Sequence, residues 1–200
     1  MALTNTADRW GGIAKTLHWL MALMLVGALA VGTVMADWPD DEAAIKSLLR
    51  QMHQSVGMLL LALVLLRLAW RAVQPVPPPP ARSWRITRRL AAISHGSLYA
   101  LMLLIPVTGY LMVTTGPQTS PFDAFGLIRV PYLLEPSERW HGVFRSMHDV
   151  LTKVFLVLIA VHVLAALEHG VFNRDGVWSR MWFGRKADKT QGAFGPLTPG

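Results

Sequence analysis

The chain has 200 residues, of which 52% are hydrophobic and only 16% are charged, which is too apolar for a soluble domain of this size. The absence of cysteine excludes disulfides, thiolate metal sites and covalently attached c-type haem. In a membrane protein a formal net charge of +7 usually reflects basic cytoplasmic loops, so it does not indicate a nucleic-acid partner.

Four apolar runs, at approximately residues 13–35, 47–73, 88–113 and 145–170, approach the roughly 20 residues that a bilayer span needs. Leu, Ala, Met and Val dominate these runs, which favours helices over the alternating pattern of a barrel. The connections are an acidic segment, a proline-rich linker and a long segment, 114–144, expected to fold over one end. We predict an all-α integral membrane four-helix bundle over residues 1–182, followed by a polar tail over 183–200.

The orientation of this bundle follows from its basic residues, because cytoplasmic loops are enriched in Lys and Arg. With the N-terminus inside, 13 basic residues lie on the cytoplasmic side: Arg9, Lys15, Arg67, Arg71, Arg82, Arg85, Arg88, Arg89, Arg174, Arg180, Arg185, Lys186 and Lys189. Five lie on the other side, namely Lys46, Arg50, Arg129, Arg139 and Arg145. Both termini are therefore expected to be cytoplasmic.

Six of the seven histidines fall within the predicted spans, and His141 lies just before the fourth. A single intramembrane histidine is usually explained by a hydrogen bond between helices. Six are too many for that explanation alone, and ionisable groups in a membrane interior generally indicate function.

The depths of these histidines predict two pairs. His148 and His162 are 14 residues apart, so they share one helix face and lie about 21 Å apart along its axis. His18 is at the depth of His162 near the cytoplasmic side, and His53 is at the depth of His148 near the outer side. Two pairs at two depths suit two haems stacked along the bundle axis, each with two axial imidazoles.

Five further residues lie near these levels. Arg67 follows His53 by 14 residues and either pairs with a haem propionate or extends toward the cytoplasm. Gly57, one turn after His53, leaves room for a flat ring or makes an ordinary helix contact. His95 and His169 lie near the inner end and can contact a haem, a quinone or a neighbouring residue. Lys153 is rotated about 140° from His148, which indicates a lipid-facing side chain that extends to the interface.

Several motifs together resemble the bacterial cytochrome b561 family, from about Arg9 to Trp182. They are AKTLHWL, QMHQSVG followed by LLRLAWR, ISHGSLYALMLLIPVTGY, PFDAFGLIRVP and MHDVLTKVFLVLIAVHVLAALEH. The resemblance implies a multi-pass cytochrome of the bacterial inner membrane with two haem b groups. It implies iron ligands at the same four positions that depth selects: His18, His53, His148 and His162.

The resemblance also implies electron transfer between a periplasmic donor and membrane quinone, and one branch of the family oxidises superoxide with ubiquinone. Superoxide would be attracted by a local cationic patch, of which Lys46, Arg50 and Arg145 are the candidates. A second hypothesis is the cytochrome b subunit of a larger hydrogenase or dehydrogenase complex, with a partner subunit on the outer face. A third is a haem-free transporter that uses the histidines as a proton relay.

The position of ubiquinone is open between the two ends of the bundle. The inner end offers His95, His169 and Arg67 as hydrogen-bonding and charged groups, and we favour it. The outer end is the alternative, because the long third connection could cover a quinone pocket there with Tyr132 and Trp140.

Overall fold

The structure is a computed structural model that describes residues 2–7, 9–78, 84–117, 121–173 and 175–183. Its four long helices are α1 (Gly12–Asp37), α2 (Ala43–Val73), α3 (Arg85–Thr114) and α4 (Glu138–Glu168). An antiparallel hairpin of β1 (Phe122–Ala124) and β2 (Ile128–Val130) lies between α3 and α4. After α4 come a π-helical turn (His169–Asn173) and the short helix α5 (Val177–Arg180). The polar tail predicted for 183–200 lies, apart from Phe183, outside the described residues.

Each of the four long helices has the length and composition of a membrane span, which confirms the predicted four-helix membrane bundle. The shortest, α1, has 26 residues and is about 39 Å long, enough to cross a hydrocarbon core of about 30 Å. All four helices begin earlier than predicted, and the difference is largest for α4, at Glu138 rather than 145, and for α2, at Ala43 rather than 47. Hydropathy identifies only the part of a helix that lies in hydrocarbon, whereas polar turns extend each helix into the interface. At the start of α4, for example, the Ser137 side chain caps the helix by accepting a hydrogen bond from the Trp140 amide.

The helices pack unevenly around the bundle. Consecutive helices are in contact: α1 with α2, α2 with α3, and α3 with α4. Met21, Leu60 and Val64 form the most buried apolar cluster, where α1 meets α2. Throughout the described residues, the Cα atoms of α4 stay more than 8 Å from those of α1 and α2. Side chains must therefore bridge the space between α4 and these two helices.

The long third connection folds over one end of the bundle, as predicted, and we call this end the hairpin end. Its turn needs positive φ angles at Phe125 (54°) and Gly126 (69°). The Phe125 amide donates to Ser55 Oγ on α2 at 3.0 Å, and the Tyr110 hydroxyl on α3 donates to the Pro131 carbonyl at 2.8 Å. The hairpin is thus anchored to two helices.

The opposite end, which we call the N-terminal end, is closed by residues that precede α1 and follow α4. The buried Asn5 accepts from the Gly11 amide and donates to the Pro75 carbonyl, which joins the start of α1 to the end of α2. Lys15 donates to the carbonyl of Trp182, at 2.9 Å, so the segment after α5 lies against α1.

We predict that Ser55→Ala loosens the hairpin. The Ser55 hydroxyl is buried, and its loss leaves the Phe125 amide without its acceptor, at a cost of about 1–3 kcal/mol. Tryptic cleavage at the exposed Arg129 should become roughly tenfold faster, because proteolysis follows the population of the opened state. Thr33→Ala is the control, since the Thr33 hydroxyl donates to carbonyls of its own helix. Equal cleavage rates in the two variants would contradict the anchoring role.

Candidate functional site

The first part of the candidate site is the hairpin-end pair, formed by His53 on α2 and His148 on α4. Their ring centres are 6.2 Å apart and their ring planes meet at 84°. The Nδ1 atom of His53 lies 3.1 Å from the Ala28 carbonyl on α1, and that of His148 lies 2.9 Å from the Ile105 carbonyl on α3. A carbonyl can only accept, so Nδ1 donates in each ring and Nε2 keeps its lone pair.

The second part is the N-terminal-end pair, formed by His18 on α1 and His162 on α4. Their ring centres are 6.3 Å apart and their planes meet at 68°. His95 on α3 joins this pair, with its ring centre 5.5 Å from that of His162. Three helices therefore bring imidazoles to one level.

On α2, the side chain that lies at the depth of the N-terminal-end pair is that of Arg67. Its Nε atom donates to the Tyr99 hydroxyl at 2.9 Å, and one terminal nitrogen donates to the Ala14 carbonyl at 3.1 Å. The other terminal nitrogen lies 3.5 Å from His18 Nδ1. The side chain thus points into the bundle, and the alternative in which it extends to the cytoplasm does not describe this structure.

A spacing of 14 residues relates the two levels on every helix. On α4 it joins His148 to His162, and on α2 it joins His53 to Arg67. It also joins two pairs that the sequence analysis did not identify: His18 to Gly32 on α1, and His95 to Gly109 on α3. Gly32 lies against His53, and Gly109 lies against His148. A search for any residue 14 positions from each intramembrane histidine would have found both glycines.

Space is available beside the hairpin-end pair. A cavity of about 180 Å³ lies between α1 and α2, lined by Met24, Gly27, Ala28, Val31, Met52, His53 and Val56. A side chain added at Gly57 would meet no atom within 4 Å. The structure thus has open space near His53, and the use of that space by a flat apolar group stays a prediction.

The remaining predicted polar residues are engaged elsewhere. His169 lies in the π-helical turn, and its Nδ1 atom is 2.6 Å from an Asp175 oxygen. His141 lies inside α4, where its Nδ1 atom donates to the Met112 carbonyl of α3 at 2.8 Å. Lys153 is exposed and pairs with Asp149 one turn earlier on α4, which agrees with the lipid-facing position predicted for it.

The predicted cationic patch at the hairpin end is partly neutralised. Lys46 Nζ lies 2.6 Å from Asp40 Oδ1. The hydrogen bond and the charge of Lys46, together with the charge of Arg50, hold the pKa of the Asp40 carboxyl below its usual value. Arg145 lies at the same end and is exposed.

Tyr132 and Trp140 also lie at the hairpin end. Trp140 lines a cavity of about 260 Å³ with Thr115, Leu134, Glu135 and Phe144. The Tyr132 hydroxyl is buried and has no hydrogen-bond partner within the described part of the chain. Burial, helped by the nearby Tyr110, raises the pKa of Tyr132.

Comparisons with known proteins agree with this arrangement. The chain is 32% identical over 182 residues to "Cytochrome b561 homolog 2" of Escherichia coli (strain K12), covering 90% of this chain and 95% of the relative. It is 25% identical over 165 residues to "Probable superoxide oxidase CybB" of Yersinia pestis, covering 82% of this chain and 90% of the relative.

The family model for prokaryotic cytochrome b561 matches residues 9–184, which include all four long helices. Members of this family are electron-transfer membrane cytochromes, and membership implies binding of b-type haem, which argues against a haem-free proton relay. This multi-pass bacterial membrane protein belongs to the prokaryotic cytochrome b561 family.

Proposed function

We propose that this chain is a diheme b-type cytochrome of the inner membrane that transfers electrons from superoxide on the periplasmic side to ubiquinone in the membrane. The observation that carries the proposal is the presence of two histidine pairs, each joining α4 to a helix whose Cα atoms lie more than 8 Å from its own. The relative from Yersinia pestis named as a probable superoxide oxidase supports the choice of donor.

Each pair would hold one haem through its two imidazoles, because the two rings of a pair are close enough to share one metal ion. The observed separations are 6.2 and 6.3 Å. Within the described residues, no group of three or more His, Asp or Glu side chains could hold a metal ion directly. Paired imidazoles therefore suit a metal whose other ligands come from a macrocycle.

We assign one haem to His53 and His148 and the other to His18 and His162. Haem iron bound at these levels supplies one-electron oxidation and reduction. The protein supplies fixed imidazoles, an apolar cavity beside His53 and the guanidinium of Arg67 near His18. In the proposed reaction two superoxide anions each lose one electron to give dioxygen, and ubiquinone takes up two electrons and two protons to give ubiquinol.

We assign the hairpin end to the periplasm and both termini to the cytoplasm. In the sequence, thirteen Lys and Arg residues belong to the segments assigned to the side of the termini and five to those assigned to the side of the hairpin, which follows the rule for cytoplasmic loops. One of the thirteen, Arg67, turns into the bundle. Arg50 and Arg145 are exposed at the hairpin end and can attract an anion there. The pairing of Lys46 with Asp40 limits this attraction to a small area.

We assign the ubiquinone site to the N-terminal end. His95 is exposed on α3 and lies beside His162. Its ring also donates to the Ala91 carbonyl, so its other nitrogen can accept a hydrogen bond from a quinol hydroxyl close to a haem ligand. His169 is less available, because Asp175 occupies its Nδ1 atom. The cavity beside Trp140 at the hairpin end is the competing location.

We predict that the purified protein contains two non-covalent haems and that His148→Ala and His162→Ala each retain one. Each substitution removes an imidazole from a different pair, and the pairs lie about 21 Å apart along α4 at 1.5 Å per residue. Pyridine haemochrome analysis gives the haem-to-protein ratio, and reduced spectra show which haem is lost. His141→Ala is the matched control on α4 and should keep both haems. Loss of the same haem from both variants would refute the assignment of ligands.

We predict that the protein reduces ubiquinone when it is supplied with enzymatically generated superoxide, and that superoxide dismutase abolishes this reduction. The donor is then superoxide itself rather than the generating system. The measurement is quinone absorbance in detergent, with the His148→Ala variant as control. If dithionite reduces the haems but superoxide produces no dismutase-sensitive quinone reduction, the protein is instead a cytochrome b subunit that requires a partner donor.

We predict that His95→Leu slows ubiquinone reduction about tenfold with haem content unchanged, the effect of losing one hydrogen bond of about 1.4 kcal/mol. His169→Leu should have a smaller effect, because that imidazole pairs with Asp175. Tyr132→Phe and Trp140→Leu are the comparison variants at the hairpin end. Wild-type quinone reduction in both histidine variants, combined with its loss in the Tyr132 or Trp140 variant, would move the quinone site to the hairpin end.

A further inference from the structure

We propose that Gly32 and Gly109 are positioning residues that hold His53 and His148 in the orientation needed to bind iron. Each glycine leaves a helix backbone uncovered, so that the imidazole of a neighbouring helix lies against it and donates to a carbonyl four residues before the glycine. This inference rests on the proposed role of His53 and His148 as haem ligands, and it names the residues that orient these two rings.

The geometry at the two glycines is nearly the same. A Cβ atom added at Gly32 would lie 3.0 Å from His53 Cε1, and one added at Gly109 would lie 3.0 Å from His148 Cε1. Four residues before these glycines, the carbonyls of Ala28 and Ile105 accept from the Nδ1 atoms of the same two histidines. Two helices, α1 and α3, thus present the same backbone feature to the two members of one pair.

The direction of helical side chains explains this spacing. A helical side chain leans toward the N-terminus and covers the turn before its own Cα atom. A side chain at position 32 would therefore cover the carbonyl of position 28, and one at position 109 would cover that of position 105. Glycine leaves this carbonyl accessible to a second donor beside the hydrogen bond within the helix. The Ile105 carbonyl also accepts from the Thr108 hydroxyl, at 2.9 Å, so His148 shares it with that side chain.

The hydrogen bond determines which ring nitrogen can bind iron. Because the carbonyl accepts the Nδ1 proton, Nε2 is the nitrogen left with a lone pair. Such a bond also orients the ring and makes the ligating nitrogen more basic. At the N-terminal end, by contrast, the Arg67 guanidinium lies 3.5 Å from His18 Nδ1, too far to fix which ring nitrogen of His18 carries the proton. At the hairpin-end pair the backbone carbonyls fix it in both rings.

A third histidine provides an internal control. His141 donates from Nδ1 to the Met112 carbonyl, and a Cβ atom added at Gly116, four residues later, would lie 3.2 Å from that Nδ1. The contact is of the same kind, but His141 belongs to neither pair. Gly116→Ala should therefore cause a comparable local clash without affecting haem.

The test uses the full-length holoprotein and its Gly32→Ala, Gly109→Ala and Gly116→Ala variants, with Gly142→Ala as a helix glycine that has open space around it. Haem per protein is measured by pyridine haemochrome, and the ligand environment by the electron paramagnetic resonance lines of the oxidised haems. We expect Gly32→Ala and Gly109→Ala to lose about half of the haem or to shift the resonance of one haem, because the ring must move to admit the methyl group. The two control variants should retain two haems with unchanged lines.

The other possible results of this experiment overturn either the positioning role of the two glycines or the diheme proposal. Unchanged haem and resonance in Gly32→Ala and Gly109→Ala, in a protein whose wild type holds two haems, would overturn the positioning role alone. Equal losses in the Gly116→Ala variant, or loss of both haems together with thermal stability, would show a general packing effect and also overturn it. A wild-type protein with fewer than two haems would overturn the diheme proposal, and this inference with it.

Discussion

The cost of placing imidazole in hydrocarbon is the constraint on which the rest of this structure depends. A polar ring nitrogen without a partner is expensive in a membrane, so each buried histidine needs acceptors, donors or a metal. At the hairpin-end pair, helix carbonyls accept the Nδ1 protons and leave the Nε2 lone pairs free, on helices whose Cα atoms lie more than 8 Å apart. The open packing of α4 against α1 and α2 would let the paired imidazoles share the proposed haem.

The 14-residue spacing places residues of all four helices at two common depths in the bundle. Fourteen residues are almost four helical turns, so residues at this spacing share a face and differ only in depth. At the hairpin end the four helices contribute Gly32, His53, Gly109 and His148; at the N-terminal end they contribute His18, Arg67, His95 and His162. On α1 and α3 a glycine at the hairpin end thus corresponds to a histidine at the N-terminal end, whereas α2 and α4 carry a large side chain at both levels.

The two levels differ in their electrostatic surroundings. The hairpin-end rings donate to neutral backbone carbonyls, whereas His18 lies beside the charged guanidinium of Arg67. A nearby positive charge favours an added electron, and a donated hydrogen bond strengthens an imidazole as a ligand for the oxidised metal. For the proposed haems, both effects would act in the same sense and would favour the electron at the N-terminal end, in the direction of the proposed flow toward the cytoplasm.

The sequence by itself determined the four spans and the two histidine levels, because hydropathy marks a membrane span and depth in a straight helix increases linearly with residue number. It also supported the family, through motifs that together cover most of the chain. Only the tertiary structure decided that Arg67 turns inward, that His95 joins the N-terminal-end pair and that Gly32 and Gly109 lie against histidines. The spans are apolar on nearly every side, so no amphipathic stripe indicates which face of each helix turns toward which neighbour. Those contacts depend on the relative rotation of the helices, which packing sets after each helix has formed.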